Sequence, residues 1–169
     1  MPGLRVMIAS HALCLWATLG PHWALFGPVL NRLPTGDRAV WLTIDDGPSG
    51  DTSAILDALD VHAAKATFFV VGERAEKHPE QVREILRRGH AIGNHSATHP
   101  AYWFWALGPR RMRREIAETQ TILTGIIDEP PRWFRAVVGM SNPFVHSALR
   151  MHGLARVAHH RLADPRRTP

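Results

Sequence analysis

Hydrophobic and polar positions form a regular pattern along the chain from residue 38 onward. Five short apolar runs predict buried strands, at residues 40–44, 66–71, 91–93, 133–135 and 154–158. Between them, apolar residues recur three or four positions apart and predict helices near residues 52–59, 79–89, 109–124 and 142–153. Strands that alternate with helices are typical of parallel βα units. The pattern therefore predicts an α/β fold built on a parallel sheet.

Polar clusters follow the first, third and fourth of these strands. In a parallel (β/α) barrel the chemistry takes place in the loops after the strands, so this is where we expect functional residues. About five βα units are too few to close a barrel. The sequence predicts either an open sheet or an incomplete barrel.

The N-terminal segment, residues 1–37, is apolar. It carries no Asp, Glu, Lys or Arg between Arg5 and Arg32. One interpretation is a signal-peptide core or an uncleaved anchor, with membrane association through residues 6–30 and a location in the cell envelope or at a membrane rather than in the cytoplasm. Its apolar run is shorter than the roughly 20 residues of a spanning helix. The alternative is a pair of short apolar helices packed on the domain.

Composition indicates one globular domain, because 45% of the residues are hydrophobic and 21% are charged. We predict that the domain covers residues 38–158 and that residues 159–169 form an irregular basic tail. The net charge of +5 invites a basic binding protein as one alternative. Most basic residues are arginines scattered at helix ends and in the tail, without the continuous stripe of a binding groove, so we expect no nucleic-acid partner. The single cysteine, Cys14, excludes an internal disulfide.

Two histidines, His95 and His99, follow the third strand. On a helical turn they would point to the same side and reach one metal ion. Because the chain contains 11 histidines, such a pair also arises by chance, and alone it does not identify a site. Ser96 and Thr98 are predicted to hydrogen-bond to the imidazole rings and orient them.

Two adjacent carboxylates, Asp45 and Asp46, end the first strand. They repel each other unless a positive charge lies nearby, and a metal ion would supply one. The alternative is an ordinary Asp-Asp-Gly-Pro turn. Because successive strand residues point to opposite sides, one carboxylate can bind the ion while the other acts as a base. Two histidines and one carboxylate form a donor set with which zinc activates water and polarises carbonyl groups. Arg135, at the end of the fourth strand, would hold the second carboxylate.

Three motifs occur in a recognisable order: Thr43-Ile44-Asp45-Asp46-Gly47-Pro48, Ala66-Thr67-Phe68-Phe69-Val70 and Gly93-Asn94-His95-Ser96-Ala97-Thr98-His99-Pro100. Together they resemble the NodB-type polysaccharide deacetylases, carbohydrate esterase family 4. The resemblance implies a distorted (β/α) barrel and a divalent metal, with Zn²⁺ as the expected ion. It also implies hydrolysis of the acetamide of an N-acetylated glycan, such as peptidoglycan, a chitin-like polymer or an exopolysaccharide.

The resemblance assigns roles to particular residues. Asp45 matches the catalytic base, and Arg135 matches the arginine that pairs with it. Asp46, His95 and His99 match the three metal ligands.

The aromatic residues after the histidine pair are open to two interpretations. Trp103 and Trp105 either stack on sugar rings or anchor their loop in the core.

The chain departs from the family pattern in two places. Ala136-Val137 follows Arg135 where the family has Arg-x-Pro. The Asp-Trp and Leu-x-His motifs, the second of which supplies the family's general acid, are not found in the sequence. We therefore expect a family member truncated at the C-terminus. The alternative function is that of a catalytically inactive remnant that binds metal or glycan.

Overall fold

The structure is a computed structural model that describes residues 2–19, 24–31 and 39–158. Helices and strands alternate through most of these ranges. In chain order they are α1 Pro2–Leu19, β1 Leu42–Gly47, α2 Thr52–Val61, β2 Ala66–Val70, α3 Gly72–Lys77, α4 Pro79–Arg87, β3 Ala91–Asn94, α5 Pro109–Ile127, β4 Trp133–Arg135, α6 Val145–Arg150 and β5 Ala155–Val157. Two short 3₁₀ helices, Phe104–Ala106 and Val137–Gly139, follow β3 and β4.

All five strands are parallel and lie in one sheet in the order β1-β2-β3-β4-β5. The predicted α/β fold with five parallel strands is confirmed. Because the strands are parallel, the loops after them lie along one edge of the sheet. The polar clusters predicted to carry the chemistry therefore lie along this edge.

Helices α2, α4, α5 and α6 pack against the sheet, and the core contains two hydrophobic clusters. Every residue of β2 is buried, as expected for a central parallel strand that is covered on both faces. One cluster packs Phe68 against Leu56, Val82 and Ile85. The other packs Phe134 against residues of α5, α6 and the first 3₁₀ helix.

Helix α3 is not predicted from the sequence. Its six residues bury only Gly72 and Ala75, so it has no apolar period to detect. Gly72 sits where α3 crosses α5 and the loop after β3. A β-carbon there would lie 2.9 Å from Thr119 Oγ1 and 3.1 Å from the α-carbon of Ala97. Glycine thus permits the close approach of α3 to that loop.

In its described residues, 2–19 and 24–31, the N-terminal segment contains one continuous helix, α1, where a pair of short helices was one prediction. Side chains from Arg5 to Trp16 are exposed, whereas Ala17 and Thr18 are buried. The Thr18 carbonyl accepts a hydrogen bond from Ser141 N at 3.1 Å. Among the described residues, no helix combines the length and the apolar character that crossing a membrane requires.

Residues 24–31 contain no helix and reach the edge of β5. Leu30 forms a parallel bridge with Val157. Leu30 N donates to Arg156 O at 2.8 Å, and Ala158 N donates to Leu30 O at 2.9 Å. The predicted boundaries after residues 37 and 158 stay predictions, because residues 32–38 and the tail at 159–169 lie outside the described residues.

Candidate metal centre

The end of β1 turns the two aspartates in different directions. Asp46 has a left-handed φ of 64°, and the pairing of β1 with β2 is irregular between Ile44 and Gly47. Asp45 Oδ1 lies 2.8 Å from Arg135 Nη1, whereas Asp46 Oδ1 lies 2.8 Å from His99 Nε2. The strand end therefore presents one carboxylate to a cation and the other to the histidines.

The predicted helical turn at the histidine pair is wrong. Residues 95–99 form a loop, in which Ser96 and His99 have positive φ angles of 68° and 50°. This loop brings the two imidazole centroids to 5.1 Å from each other. The two rings are therefore close together, as the spacing of four residues predicted. The cause is a loop with positive φ angles, not a helical turn.

Asp46, His95 and His99 fit a divalent metal ion. Each offers one ligand atom, and the three atoms lie within 4.8 Å of one another. Asp46 Oδ1 is 3.4 Å from His95 Nε2 and 2.8 Å from His99 Nε2. Tetrahedral zinc with bonds of about 2.0 Å holds its ligands about 3.3 Å apart, close to these separations. No other such group of three occurs among the residues that the structure describes.

The surroundings of Asp46 and His99 shift the pKa of each towards the form that binds metal. The pKa of Asp46 is lowered, mainly by its hydrogen bond to His95. Burial opposes this shift, and the charges of His99, His95 and Arg74 add to it. Burial lowers the pKa of His99 although the Asp46 carboxylate raises it. An ionised carboxylate and a neutral imidazole are the forms that coordinate a metal.

The ring of His95 is oriented by a backbone carbonyl. Its Nδ1 lies 2.9 Å from Arg135 O, which leaves Nε2 facing Asp46. The predicted orientation of the rings by Ser96 and Thr98 is not found. Thr98 Oγ1 donates instead to Glu115 Oε1 at 2.8 Å, and Ser96 Oγ is buried with no hydrogen-bond partner in the described part of the chain.

Arg135 is buried and holds Asp45. Its Nη1 donates to Asp45 Oδ1 at 2.8 Å and to Thr43 Oγ1 at 2.7 Å. The guanidinium carbon lies 4.3 Å from the centroid of the Phe69 ring, a cation–π contact. The family's proline would stand at Val137, which is buried and begins the second 3₁₀ helix.

Two charged residues next to the cluster were not predicted from the sequence. Arg74 Nη1 donates to the backbone carbonyl of Asp46. Arg74 was not predicted because its helix, α3, was not predicted. Glu115 accepts hydrogen bonds from the backbone of Ala97 and Thr98. Glu115 could have been found from the sequence, because it is a charged residue on the buried face of an amphipathic helix and such residues need a partner.

Of the four aromatic residues in the loop after His99, Phe104 is buried, and Tyr102, Trp103 and Trp105 are exposed. Phe104 is fully buried and fixes the loop in the core. Trp103 is 67% exposed and Trp105 is 44% exposed. Stacking of these two tryptophans on sugar rings stays a prediction.

Comparison with known proteins identifies relatives of this chain. The sequence model of the polysaccharide deacetylase family matches residues 32–157. The chain is 40% identical over 107 residues to a peptidoglycan-N-acetylglucosamine deacetylase of Bacillus cereus, covering 63% of this chain and 38% of that protein. It is 36% identical over 137 residues to a chitooligosaccharide deacetylase of Sinorhizobium fredii, covering 80% of this chain and 62% of that protein.

A solved structure shares the fold. It is a family 4 carbohydrate esterase from Streptomyces lividans in complex with acetate, with a TM-score of 0.66 and 38% identity. The match covers 70% of this chain and 60% of that structure. The chain spans only part of the two relatives named above, 38% of the first and 62% of the second. The prediction of an incomplete parallel (β/α) barrel of the NodB type is confirmed. Fold and sequence together show that the chain belongs to the polysaccharide deacetylase family.

Proposed function

We propose that the chain holds a divalent metal, with Zn²⁺ as the expected ion, at Asp46, His95 and His99, and hydrolyses the acetamide of N-acetylated sugars in a glycan. The observation that carries this proposal is the convergence of three ligand atoms within 4.8 Å, next to an ion pair between Asp45 and Arg135. The named relatives act on peptidoglycan N-acetylglucosamine and on chitooligosaccharides. Their names support a glycan of this kind as the substrate.

The chemistry divides between the metal and Asp45. A divalent metal in such a site polarises a carbonyl group and lowers the pKa of a water molecule. Asp45 accepts the proton of the water that attacks the acetamide carbon. Arg135 holds this carboxylate through Nη1 at 2.8 Å, so the base has a fixed position next to the ligands. The carbon–nitrogen bond then breaks as the proton taken up by Asp45 passes to the leaving nitrogen, and the products are acetate and the free amine of the sugar.

Acetate release from an N-acetylated chito-oligosaccharide, with and without a chelator, tests this function. We expect release that stops with the chelator and that an Asp45→Asn variant abolishes while it retains zinc. Asp51→Asn is the matched control, because Asp51 is exposed and makes no side-chain capping bond to α2. Retained zinc without acetate release would contradict the enzymatic function and support an inactive protein that binds metal or glycan.

The substrate contact is proposed to include Trp103 and Trp105. Both are exposed in the loop that follows His99, and aromatic faces of this kind stack on sugar rings. A Trp103→Ala variant should raise KM for a chito-oligosaccharide more than it lowers kcat. An unchanged KM in the variant would remove Trp103 from the substrate site.

Association with a membrane surface through residues 6–30 is proposed on the exposed apolar side chains of α1. Six large ones are exposed: Val6, Met7, Ile8, Leu13, Leu15 and Trp16. Such side chains lose contact with water when they enter a lipid interface. This association would place the protein in the cell envelope. Flotation with liposomes tests it; the chain should float, and sedimentation of the chain alone would contradict the proposal.

A further inference from the structure

Glu115 of α5 is 1% exposed and binds the loop between the two histidine ligands. Its Oε2 accepts hydrogen bonds from Ala97 N at 3.0 Å and from Thr98 N at 2.9 Å. Its Oε1 accepts a hydrogen bond from Thr98 Oγ1 at 2.8 Å. All three donors belong to the loop, so a single carboxylate fixes the middle of the segment that connects His95 to His99.

The opposite side of the same loop is bound by the start of α3. Gly72 N donates to Ser96 O and Glu73 N donates to Ala97 O, both at 3.0 Å. These N–H groups have no partner within their own helix, because they belong to its first turn. The loop is therefore clamped, with its carbonyl groups on α3 and its N–H groups on Glu115.

Arg111 supplies the charge that a buried carboxylate requires. Its Nε lies 2.9 Å and its Nη2 2.8 Å from Glu115 Oε1. Half of the Arg111 side chain is exposed, so the guanidinium reaches from the surface of α5 to the buried carboxylate. Together with Arg111, two backbone N–H groups and one hydroxyl give the buried carboxylate its hydrogen-bond donors.

The loop conformation depends on such external bonds. Ser96 and His99 both have positive φ angles, of 68° and 50°, which cost free energy in residues other than glycine. His95 is held independently by Arg135 O, whereas no side-chain bond other than that to Asp46 fixes His99 among the described residues. Loss of the clamp should therefore move His99 relative to His95.

We propose that Glu115 is a positioning residue whose carboxylate, by clamping residues 96–98, sets the separation of the His95 and His99 imidazoles and thereby the affinity and geometry of the metal site. This inference rests on the proposed metal site. It extends the site to a residue of α5 that touches no ligand atom of the metal.

The variant that tests this role is Glu115→Gln in the full chain. Glutamine keeps the volume, but its NH₂ group replaces an acceptor that faces only donors. Glu118→Gln is the matched control, because Glu118 lies on the same helix and pairs with Arg114 at 3.2 Å, as Glu115 pairs with Arg111. We expect Glu115→Gln to weaken Co²⁺ binding by about tenfold or more, as residues behind metal ligands do. The control should stay within about twofold of wild type.

The visible absorption spectrum of bound Co²⁺ separates positioning from general stabilisation. Loss of stability alone would lower the unfolding temperature and leave the spectrum of the metal-loaded protein unchanged. A displaced His99 changes the coordination and therefore the spectrum. If Glu115→Gln does not fold, Thr98→Val removes the hydroxyl that donates to Glu115 Oε1 and accepts from Arg111 Nη2 at 3.4 Å, and it keeps both backbone N–H donors. It should still weaken Co²⁺ binding and alter the spectrum.

The outcomes separate the inference from the proposal beneath it. Wild-type binding of Co²⁺ together with unchanged affinity and spectrum in Glu115→Gln would overturn the positioning role and leave the metal site standing. If Thr98→Val is used because Glu115→Gln does not fold, unchanged Co²⁺ affinity and spectrum in Thr98→Val would likewise overturn the positioning role. Failure of the wild-type chain to bind Co²⁺ would overturn the metal site, and the role of Glu115 with it.

Discussion

Arg135 contacts both the proposed base, Asp45, and the candidate metal ligand His95. Its guanidinium holds the Asp45 carboxylate, and its carbonyl oxygen lies 2.9 Å from Nδ1 of His95. A side-chain substitution removes the first contact and retains the second. The two functions of this residue are therefore separable by experiment.

An Arg135→Met variant should lower kcat/KM for deacetylation by about 10² to 10⁴, the range attributed to a positioned acid or base. Methionine keeps an apolar stem over Phe69 but removes the Nη1 donor that holds Asp45 Oδ1. Zinc affinity should stay within about threefold, since the carbonyl remains. Arg132→Met, an exposed arginine three residues earlier, is the control. Equal loss of zinc binding and of activity would contradict the division of roles.

His90 is a buried histidine outside the site whose pKa gives stability a pH dependence. Burial and the charge of Lys65 lower its pKa below the ordinary value of about 6.5. The folded state then binds fewer protons than the unfolded state, so stability falls as the pH drops below about 6.5. Urea unfolding at pH 7.5 and 5.5 measures this loss.

A His90→Asn variant should lose less stability between these two pH values than wild type. Asparagine places an acceptor near His90 Nδ1, which accepts a hydrogen bond from Ala66 N at 3.3 Å, and it does not titrate. His99, whose pKa burial also lowers, contributes a pH dependence of the same sign, and the variant retains it. Identical pH dependence in the two proteins would show that His90 has no such effect.

At the residue scale, sequence motifs named Asp45, Asp46, His95, His99 and Arg135, and the structure brings these five side chains together. The hydrogen bonds of the loop at residues 95–99 were predicted less well. Ser96 and Thr98 were expected to hydrogen-bond to the imidazole rings because they are adjacent to the histidines in sequence. The backbone instead turns Thr98 towards Glu115 of α5. Glu115 lies 16 residues beyond His99 in the chain, and only tertiary packing brings it to the loop.

At the element scale, strand β3 approaches β2 more closely than a side chain on Gly93 would permit. A β-carbon at Gly93 would lie 2.6 Å from the Phe69 ring and 3.2 Å from Trp133 O. Phe69 is fully buried and carries the Arg135 guanidinium on its face. The packing of these two strands therefore supports the position of Arg135.

A Gly93→Ala variant should lower the free energy of unfolding by about 1–3 kcal/mol, since the buried Phe69 ring has to shift. Gly125→Ala is a control with the opposite expected sign. Gly125 lies within α5, where nothing approaches within 4 Å of an added β-carbon, so alanine should raise stability by about 0.5–1 kcal/mol. Urea unfolding measures both, and an unchanged Gly93→Ala protein would contradict the packing described.

The elements with an apolar period were predictable. The five strands and the helices α2, α4, α5 and α6 occur near their predicted positions, because each buries the side of its pattern that is apolar. Helix α3 and the loop at residues 95–99 were not predicted. The position of α3 follows from contacts with residues distant in sequence, and the loop has positive φ angles that no periodicity encodes.

At the scale of the whole molecule, the N-terminal segment supports the sheet at β5. Leu30 bonds to both Arg156 and Ala158 along the side of β5 that faces away from β4. A strand edge without such a partner is a template for association with other chains. The bridge therefore protects the sheet as well as joining residues 24–31 to the family domain.

A Leu30→Pro variant should increase self-association, because proline removes the N–H group that donates to Arg156 O. Leu30→Ala is the control, since it shortens the side chain and keeps both backbone bonds. Light scattering after size-exclusion chromatography measures the molar mass. Equal masses for the two variants would indicate that the bridge does not protect β5.

The central claim is that Asp46, His95 and His99 form one metal centre. It is tested most directly by an anomalous difference map from a crystal of the full chain grown with Zn²⁺. We predict a single strong peak about 2.0–2.2 Å from an Asp46 carboxylate oxygen and from Nε2 of both His95 and His99. A map with no peak at these atoms, or with zinc bound only by other histidines, would contradict the account.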